Sequence, residues 1–237
     1  MKILADYHTH TYFSDAKDSP EEMVKAAVQK GIKEIAITDH GYASYILGLS
    51  RTSQRRQAEI LERLREHYPE IKILTGIESN LLDFEGRIDM DAEDFKNFDI
   101  VQFGFHRPVR FWMVKDLPRF IIRNIGIFKQ DIDRNTTALI KAMERYPIKI
   151  LSHLNNIFKV HVGEVAKEAV KRGVRLELNE KHWSDLEPHL DEAIAAGADF
   201  ILGSDSHFKD RVGRFDNVLK MIEKHGIEPA RIKGLGD

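Results

Sequence analysis

The chain has 237 residues, of which 42% are hydrophobic and 31% are charged, so it is long enough and apolar enough to bury a large core. It contains no cysteine, which excludes disulfides and thiolate metal ligands and leaves histidine, aspartate and glutamate to hold any metal. The formal net charge of −2, without a long basic run, argues against a general electrostatic affinity for nucleic acid.

The amino terminus predicts a strand that carries two histidines. The apolar residues 3–5 lead into Asp6-Tyr7-His8-Thr9-His10. Because alternate side chains of a strand point to the same side, His8 and His10 are placed to bind one metal ion. Asp15, in the following loop, offers a carboxylate oxygen to the same space. An exposed strand with two incidental histidines is the alternative for this segment taken alone.

Further along the chain, helices and strands alternate. Ser19 and Glu22 form a capping-box pattern around Pro20, which predicts a helix start, and Gly31 is suited to end that helix. The next strand, at 34–38, completes a strand–helix–strand unit, which implies parallel pairing. Further helices are predicted at 52–68, 131–146, 162–172, 186–196 and 217–225, and further strands at 71–77, 98–105, 148–152, 174–178 and 200–203.

These elements predict one α/β domain over residues 1–237, a barrel of the (β/α) type with seven parallel strands. A doubly wound open sheet is the competing architecture, since short apolar strands fit both. The barrel is favoured because it gathers the carboxyl ends of all its strands around one point, and these ends carry the polar residues. No signal-peptide pattern and no run near the ~20 apolar residues of a membrane span is present, so we expect a cytoplasmic protein without membrane contact.

Nine potential metal ligands fall at these strand ends or in the loops that follow them. One zinc ion uses four ligands or fewer, so the set fits two or three divalent ions, with Glu78 as the carboxylate suited to bridge them. The other histidines are expected to have structural roles: His67, His161, His182, His189 and His225. The nine potential ligands are His8, His10, Asp15, His40, Glu78, His106, His153, Asp205 and His207.

The motifs around these residues resemble those of the PHP (polymerase and histidinol phosphatase) superfamily, and most closely its small stand-alone bacterial phosphatases. They occur in family order from residue 6 to residue 207. The stretches that carry the resemblance are DYHTH with SD, TDHG, GIE, GFHRPV, LSH, LELN and GSDSH. The resemblance implies a distorted seven-stranded TIM-like barrel, (β/α)7, with a trinuclear centre that usually holds zinc and sometimes manganese or iron.

The resemblance also implies how the ligands divide among three ions. One ion takes His8, His10, Glu78 and Asp205, and a second shares Glu78 and adds His106 and His153. The third takes Asp15, His40 and His207. Some stand-alone relatives have a histidine one residue after Asp15, where this chain has Ala16. Only Asp15 is therefore left to serve there, and we expect this third site to be weaker and to favour a harder ion.

The implied activity is hydrolysis of a small phosphorylated substrate by a metal-activated water, with Glu78 and Asp205 as the catalytic carboxylates. Arg107 and Arg110 follow His106 and are candidates for binding the substrate phosphate, or else ordinary surface arginines. The segment that contains them, 107–130, is the least regular of the chain and is interpreted as a rim over the site or a contact surface. The groups expected to orient the metal ligands are Asp6, Asp39 and Asn179.

Several other functions remain as alternatives. They are a histidinol-phosphate phosphatase, a 3′–5′ exonuclease or DNA-repair phosphoesterase, a metal-dependent amidohydrolase, and a PHP domain that binds metal without catalysis. The lack of a polymerase domain and the slightly acidic charge argue against the nuclease, and the filled ligand positions argue against a purely structural role. The substrate, the metal in the cell and the formation of homo-oligomers are left open by the sequence.

Overall fold

A computed structural model describes residues 1–44, 47–106, 120 and 129–236. The two predicted phosphate-binding residues, Arg107 and Arg110, lie outside the described residues, as does most of the predicted rim segment 107–130. The seven predicted strands and the nine predicted metal ligands all fall within the described part of the chain.

Eight parallel strands form the central sheet, and their order in the sheet is their order in the chain. Each strand pairs with the next along the chain, as expected when helices connect parallel neighbours. A separate antiparallel pair joins the two termini, β1 (Lys2–Ile3) and β10 (Leu235–Gly236). The central strands are β2 (Ala5–Thr9), β3 (Glu34–Ile37), β4 (Lys72–Asn80), β5 (Ile100–Gly104), β6 (Ile150–Leu151), β7 (Arg175–Asn179), β8 (Phe200–Gly203) and β9 (Ile232–Lys233).

The sheet curls into a barrel, because the chain around its first strand, β2, contacts the segments that follow its last two strands, β8 and β9. Thr9 at the end of β2 forms a parallel bridge with Ser206 just beyond β8, and the His10 amide donates to the Ser206 carbonyl at 2.8 Å. At the opposite end, β9 pairs with β8, and the Leu4 and Ala5 amides donate to the Gly234 carbonyl. The predicted barrel is thus confirmed, with an eighth strand of two residues that is too short for sequence periodicity to reveal.

The helices begin and end close to the predicted residues, with one exception. The Ser19–Glu22 capping box is present, and Gly31 follows the first helix with a φ of +74°. The predicted helix 186–196 is instead two short helices separated by a 3₁₀ turn, Glu187–His189, which contains Pro188. Among the described residues no helix has the length and apolar character to cross a bilayer. The α-helices with both ends among the described residues are α1 (Pro20–Gln29), α2 (Arg51–His67), α3 (Ile132–Arg145), α4 (Val162–Arg172), α5 (Trp183–Leu186), α6 (Leu190–Ala195) and α7 (Asp216–His225).

Side chains of the sheet divide into an inner and an outer set. On β4, Ile73 and Ile77 belong to apolar clusters shared with the helices, whereas Leu74 belongs to a separate inner cluster. Glu78 lies on the same side of β4 as Leu74, because residues four apart in a strand share a face. The members of the inner cluster are Ala5, Tyr7, Ala36, Leu74, Ile100, Ile150 and Ile201.

Candidate metal centre

A register shift in β2 brings two histidines to the inside of the barrel. Between Asp6 and Thr9, β2 advances three residues while β3 advances two, from Ile35 to Ile37, which is the signature of a β-bulge. Tyr7 therefore joins the inner apolar cluster, and the next residue, His8, also faces inward. The Nε2 atoms of His8 and His10 lie 2.9 Å apart, as the spacing of the two residues predicted.

Glu78 lies at the centre of the cluster and is completely buried. Its Oε1 atom is surrounded by the Nε2 atoms of His8, His106 and His153, at 3.3, 3.0 and 2.9 Å. Its Oε2 atom lies 2.9 Å from His40 Nδ1 and 3.6 Å from His10 Nε2. Five imidazoles from four segments of the chain thus converge on one carboxylate.

Hydrogen bonds alone do not satisfy this cluster. Glu78 Oε2 and His40 Nδ1 are both buried without a hydrogen-bond partner, although they lie close together. His106 Nε2 and His153 Nε2 face each other at 2.9 Å, beside the same oxygen of Glu78. Nitrogen lone pairs and carboxylate oxygens that converge in this way are typical of ligands around divalent cations. The residues present therefore fit a metal centre.

Asp15 and His207 extend the cluster toward solvent. His207 Nε2 lies 3.1 Å from both carboxylate oxygens of Asp15, and His40 Nε2 lies 3.5 Å from one of them. Asp205 Oδ1 lies 3.6 Å from His10 Nε2. The loop aspartate predicted from the sequence thus faces the histidines with which it was grouped.

The structure brings all nine predicted ligands into one cluster, but it does not separate them into the three predicted sets. Within the described chain, three groups of ligand atoms lie mutually within 4.8 Å, and His10, His40 and Glu78 each belong to two of them. His153 and Asp205 lie at the edges of these groups, in contact with Glu78 and His10 respectively. The groups are His10–Asp15–His40–His207, His8–His10–Glu78 and His40–Glu78–His106.

Glu177 supports the cluster, and the sequence analysis did not identify it as a functional residue. Its Oε1 atom accepts a hydrogen bond from His8 Nδ1 at 2.6 Å, and its Oε2 atom accepts one from the His153 backbone amide at 2.7 Å. A Cβ atom on Gly203 would overlap Glu177 Oε1, so glycine is needed there for the carboxylate to reach His8. The sequence feature that could have identified Glu177 is its position between two leucines of β7. Both leucines are buried, and a charge buried beside them requires partners.

Two candidate ligands have strained backbones. His153 has a φ of 28° and Asp205 a φ of 52°, in the left-handed region that residues other than glycine seldom adopt. The Glu177 carboxylate holds the His153 amide, and the Asp205 carbonyl lies 3.0 Å from His207 Nδ1. Such strain is found where the surrounding structure fixes a side chain in a functional position.

The three predicted orienting groups differ in what they contact. Asn179 donates a hydrogen bond to Glu177 at 3.0 Å and contacts Asp205 at 3.4 Å. Asp6 accepts from backbone amides, including that of His8, and Asp39 accepts from the Thr11 amide at 2.7 Å; both therefore hold loops and backbone rather than imidazole rings. The His106 ring is oriented by Asn80 instead, whose Oδ1 lies 2.8 Å from His106 Nδ1.

Burial and the charges within the cluster together shift the pKa values of the histidines in opposite directions. Burial lowers the pKa of His40, but contacts with Asp15 and Glu78 outweigh it and raise that pKa to about 10. Burial and the neighbouring imidazoles hold the pKa of His10 well below its ordinary value. For His106, burial prevails over the attraction of Glu78 and lowers the pKa to about 4. The pKa of Glu78 is well below its usual range because the charges of His106 and His8 overcome its burial.

A cavity of about 270 Å³ opens onto the cluster. His182 lines this cavity, and its Nε2 atom lies 3.6 Å from Asp205 Oδ2. It was expected to have only a structural role, and the structure places it beside a candidate ligand. The loop after β7 carries His182 to the rim, together with Lys181. The other four histidines lie elsewhere: His161, His189 and His225 contact surface carboxylates, and the ring of His67 packs against Tyr68.

Residues 6–228 match the model of the PHP domain family. The chain belongs to the PHP family. It is 31% identical over 233 residues to a probable phosphatase of Shewanella piezotolerans, a match that covers 94% of this chain and 85% of the relative. It is 29% identical over 233 residues to a probable phosphatase of Acetivibrio thermocellus, covering 94% and 88% of the two chains.

The fold of this PHP chain is also that of a solved enzyme. The histidinol phosphate phosphatase of Lactococcus lactis, crystallised with zinc, L-histidinol and phosphate, superposes with a TM-score of 0.66. The match covers 96% of this chain and 95% of the enzyme, at 18% identity. At that identity the likeness establishes the shared barrel and leaves the substrate to be argued from the site.

Proposed function

We propose that this PHP protein is a metal-dependent phosphatase that hydrolyses a small phosphorylated substrate. The observation that carries the proposal is the convergence of five histidine side chains on the buried carboxylate of Glu78, at 2.9 to 3.6 Å. The two probable phosphatases that resemble the chain over most of its length support the same reaction class.

Three divalent ions, with zinc as the expected metal and manganese or iron as alternatives, are part of the proposal. Glu78 would be shared between ions, because its two oxygens face different histidines. The first ion takes His8, His10, Glu78 and Asp205, the second Glu78, His106 and His153, and the third Asp15, His40 and His207. The positions of His10 and His40 between neighbouring groups favour closely spaced ions over isolated ones.

Divalent ions held there supply Lewis acidity, which lowers the pKa of water and neutralises phosphoryl charge. The protein's part is to hold the ligands in place by burial and by hydrogen bonds. Glu78, His8 and His10 are fully buried, and Glu177 fixes the His8 ring through Nδ1, leaving Nε2 toward the cluster. Asp15, His40 and His207 are the more exposed members and form the side that substrate approaches.

The cavity favours a small substrate. Its volume of about 270 Å³ is close to the lower end of ordinary ligand pockets and suits a small monoester better than a folded nucleic acid. Histidinol phosphate is one candidate of this size and charge for the test below. Binding of substrate phosphate by Arg107 and Arg110 stays a prediction, because both lie outside the described residues.

The experiment combines metal analysis with a substrate panel. Elemental analysis of metal-replete protein is expected to give at least two ions per chain, and one or none contradicts the proposed centre. The zinc- and manganese-loaded proteins are then assayed with p-nitrophenyl phosphate, histidinol phosphate, a phosphodiester and single-stranded DNA. Turnover of the monoesters supports the proposal, cleavage of DNA alone supports the nuclease, and metal binding without turnover of any ester supports a non-catalytic domain.

A further inference from the structure

Lys181, in the loop after β7, lines the cavity of about 270 Å³ that opens onto the cluster of candidate metal ligands. Its Nζ atom is 3.2 Å from Asp205 Oδ1, and its side chain is 49% exposed. The backbone there is fixed, because Asn179 Oδ1 accepts hydrogen bonds from the Lys181 and His182 amides at 3.0 and 2.9 Å. The ammonium group is therefore held at the rim, beside a proposed metal ligand and open to the cavity.

The charge of the cavity makes this position notable. Of the described residues that line it, Lys181 is the only lysine or arginine, whereas Asp15, Glu78 and Asp205 are acidic. Lys181 also lines an adjoining cavity of about 460 Å³, together with Arg211 and Arg214. The lysine thus belongs to the lining of both cavities, next to a proposed metal ligand.

We propose that Lys181 binds the phosphoryl group of the substrate and makes the site selective for phosphomonoesters over phosphodiesters. This inference rests on the proposed phosphatase function and names the substrate class. A monoester is a dianion above its second pKa of about 6, whereas a diester carries a single charge. An ammonium point charge at the phosphoryl position therefore stabilises the bound monoester more than the bound diester.

A different role for Lys181 is to neutralise Asp205 and hold it in place. The two roles differ in their consequences. A lysine that only positions Asp205 affects all substrates equally and also affects metal retention, because Asp205 is a proposed ligand. A lysine that binds the phosphoryl group changes the preference between monoester and diester and leaves the metal content unaltered.

The test compares Lys181→Met with Lys181→Arg and with Lys141→Met in metal-loaded protein at pH 8. Lys141 is a suitable control because it is 37% exposed, pairs with Glu85 and lies outside both cavities. For Lys181→Met we expect the monoester KM to rise about tenfold and the diester KM to change less than about twofold, with full metal content. Lys181→Arg retains most of the preference, and Lys141→Met retains all of it.

Calorimetric titration with inorganic phosphate provides a readout independent of turnover. We expect Lys181→Met to weaken phosphate binding about tenfold, and Lys141→Met to leave it unchanged. Equal changes for monoester and diester, loss of metal, or unchanged phosphate affinity would each overturn the proposed role of Lys181. If the wild-type protein hydrolyses no phosphate ester, the proposed function fails, and the phosphate titration still decides whether Lys181 binds the anion.

Discussion

The two ends of the barrel interior are built from the same strands but from opposite kinds of side chain. At the amino end, the inner cluster that includes Tyr7, Leu74 and Ile201 is apolar and buried. At the carboxyl end, Glu78 and Asp205 lie among histidines whose nitrogens face one another. Burial of apolar surface at the first end stabilises the fold, whereas burial of polar groups at the second end lowers its stability. The difference indicates that the fold can be perturbed at one end and the metal centre at the other, nearly independently.

Glu78→Gln should produce the largest effect, because it removes the charge that five histidines share. We expect loss of at least two ions and of nearly all activity, measured by elemental analysis and ester hydrolysis. Leu74→Ala is the matched control, two positions earlier on the same face of β4. It should lower the free energy of unfolding by about 2–5 kcal/mol and leave metal content intact in the folded protein. Full metal content and turnover in Glu78→Gln would contradict the bridging role.

Glu177→Gln should have the next largest effect, since it weakens the support of two candidate ligands. The carboxylate holds both the His8 ring and the strained His153 backbone. Loss of such a supporting contact costs about 10–100-fold in metal affinity or activity. Competition with a chelator of known affinity measures the change. Glu180→Gln is a control in the loop just after β7, because Glu180 caps α7 instead of facing the centre. Equal metal affinities for the two variants would contradict the supporting role of Glu177 in the metal centre.

The sequence predicted which residues cluster better than it predicted what surrounds them. Each candidate ligand lies near the carboxyl end of a strand or in the loop that follows it, so the barrel gathers these residues from positions that the sequence pattern indicates. Glu177 and Asn80 also lie near the carboxyl ends of β7 and β4, but their contacts depend on which strands are neighbours and how closely they approach. The β-bulge in β2 also could not be predicted from the sequence pattern, although it lets His8 face inward beside Tyr7. The eighth strand has two residues and no periodicity.

Asp15→Asn tests the exposed edge of the centre and should have a smaller effect. Asp15 contacts only His40 and His207 among the proposed ligands, and its pKa is held well below the usual range by hydrogen bonds to them, which outweigh its burial. We expect loss of one ion, with the ions that share Glu78 retained. Wild-type activity after a mild chelator should recover better with manganese than with zinc, and the variant should lose that recovery. Three equally occupied zinc sites in anomalous scattering, with Asp15 turned away, would contradict this assignment.

The pH dependence of stability should show the most gradual difference between the two ends. The pKa of His40 is about 10 in the folded metal-free protein, against an ordinary value of 6.5, despite its burial, because Asp15 and Glu78 favour the charged ring. A group whose pKa is raised on folding stabilises the protein below its unfolded pKa, and this stabilisation is lost as the pH rises through the folded value. The metal-free protein should therefore lose stability between about pH 6.5 and pH 10.

Lowered pKa values act in the opposite direction at acid pH. The His106 pKa is about 4 because burial dominates, so its contribution is present above pH 6.5 and is lost as the pH falls toward 4. The metal-free protein should thus be most stable near pH 6.5, and bound metal, which requires neutral imidazoles, should remove the alkaline decline. Thermal unfolding of chelated and metal-loaded protein between pH 5 and 9.5 measures both limbs of the stability curve, the acid decline and the alkaline decline. The apolar variant Leu74→Ala should lower the whole curve without changing its shape, whereas His40→Gln should flatten the alkaline limb. Identical alkaline slopes for the chelated and loaded proteins would contradict the assignment of this charge to the metal ligands.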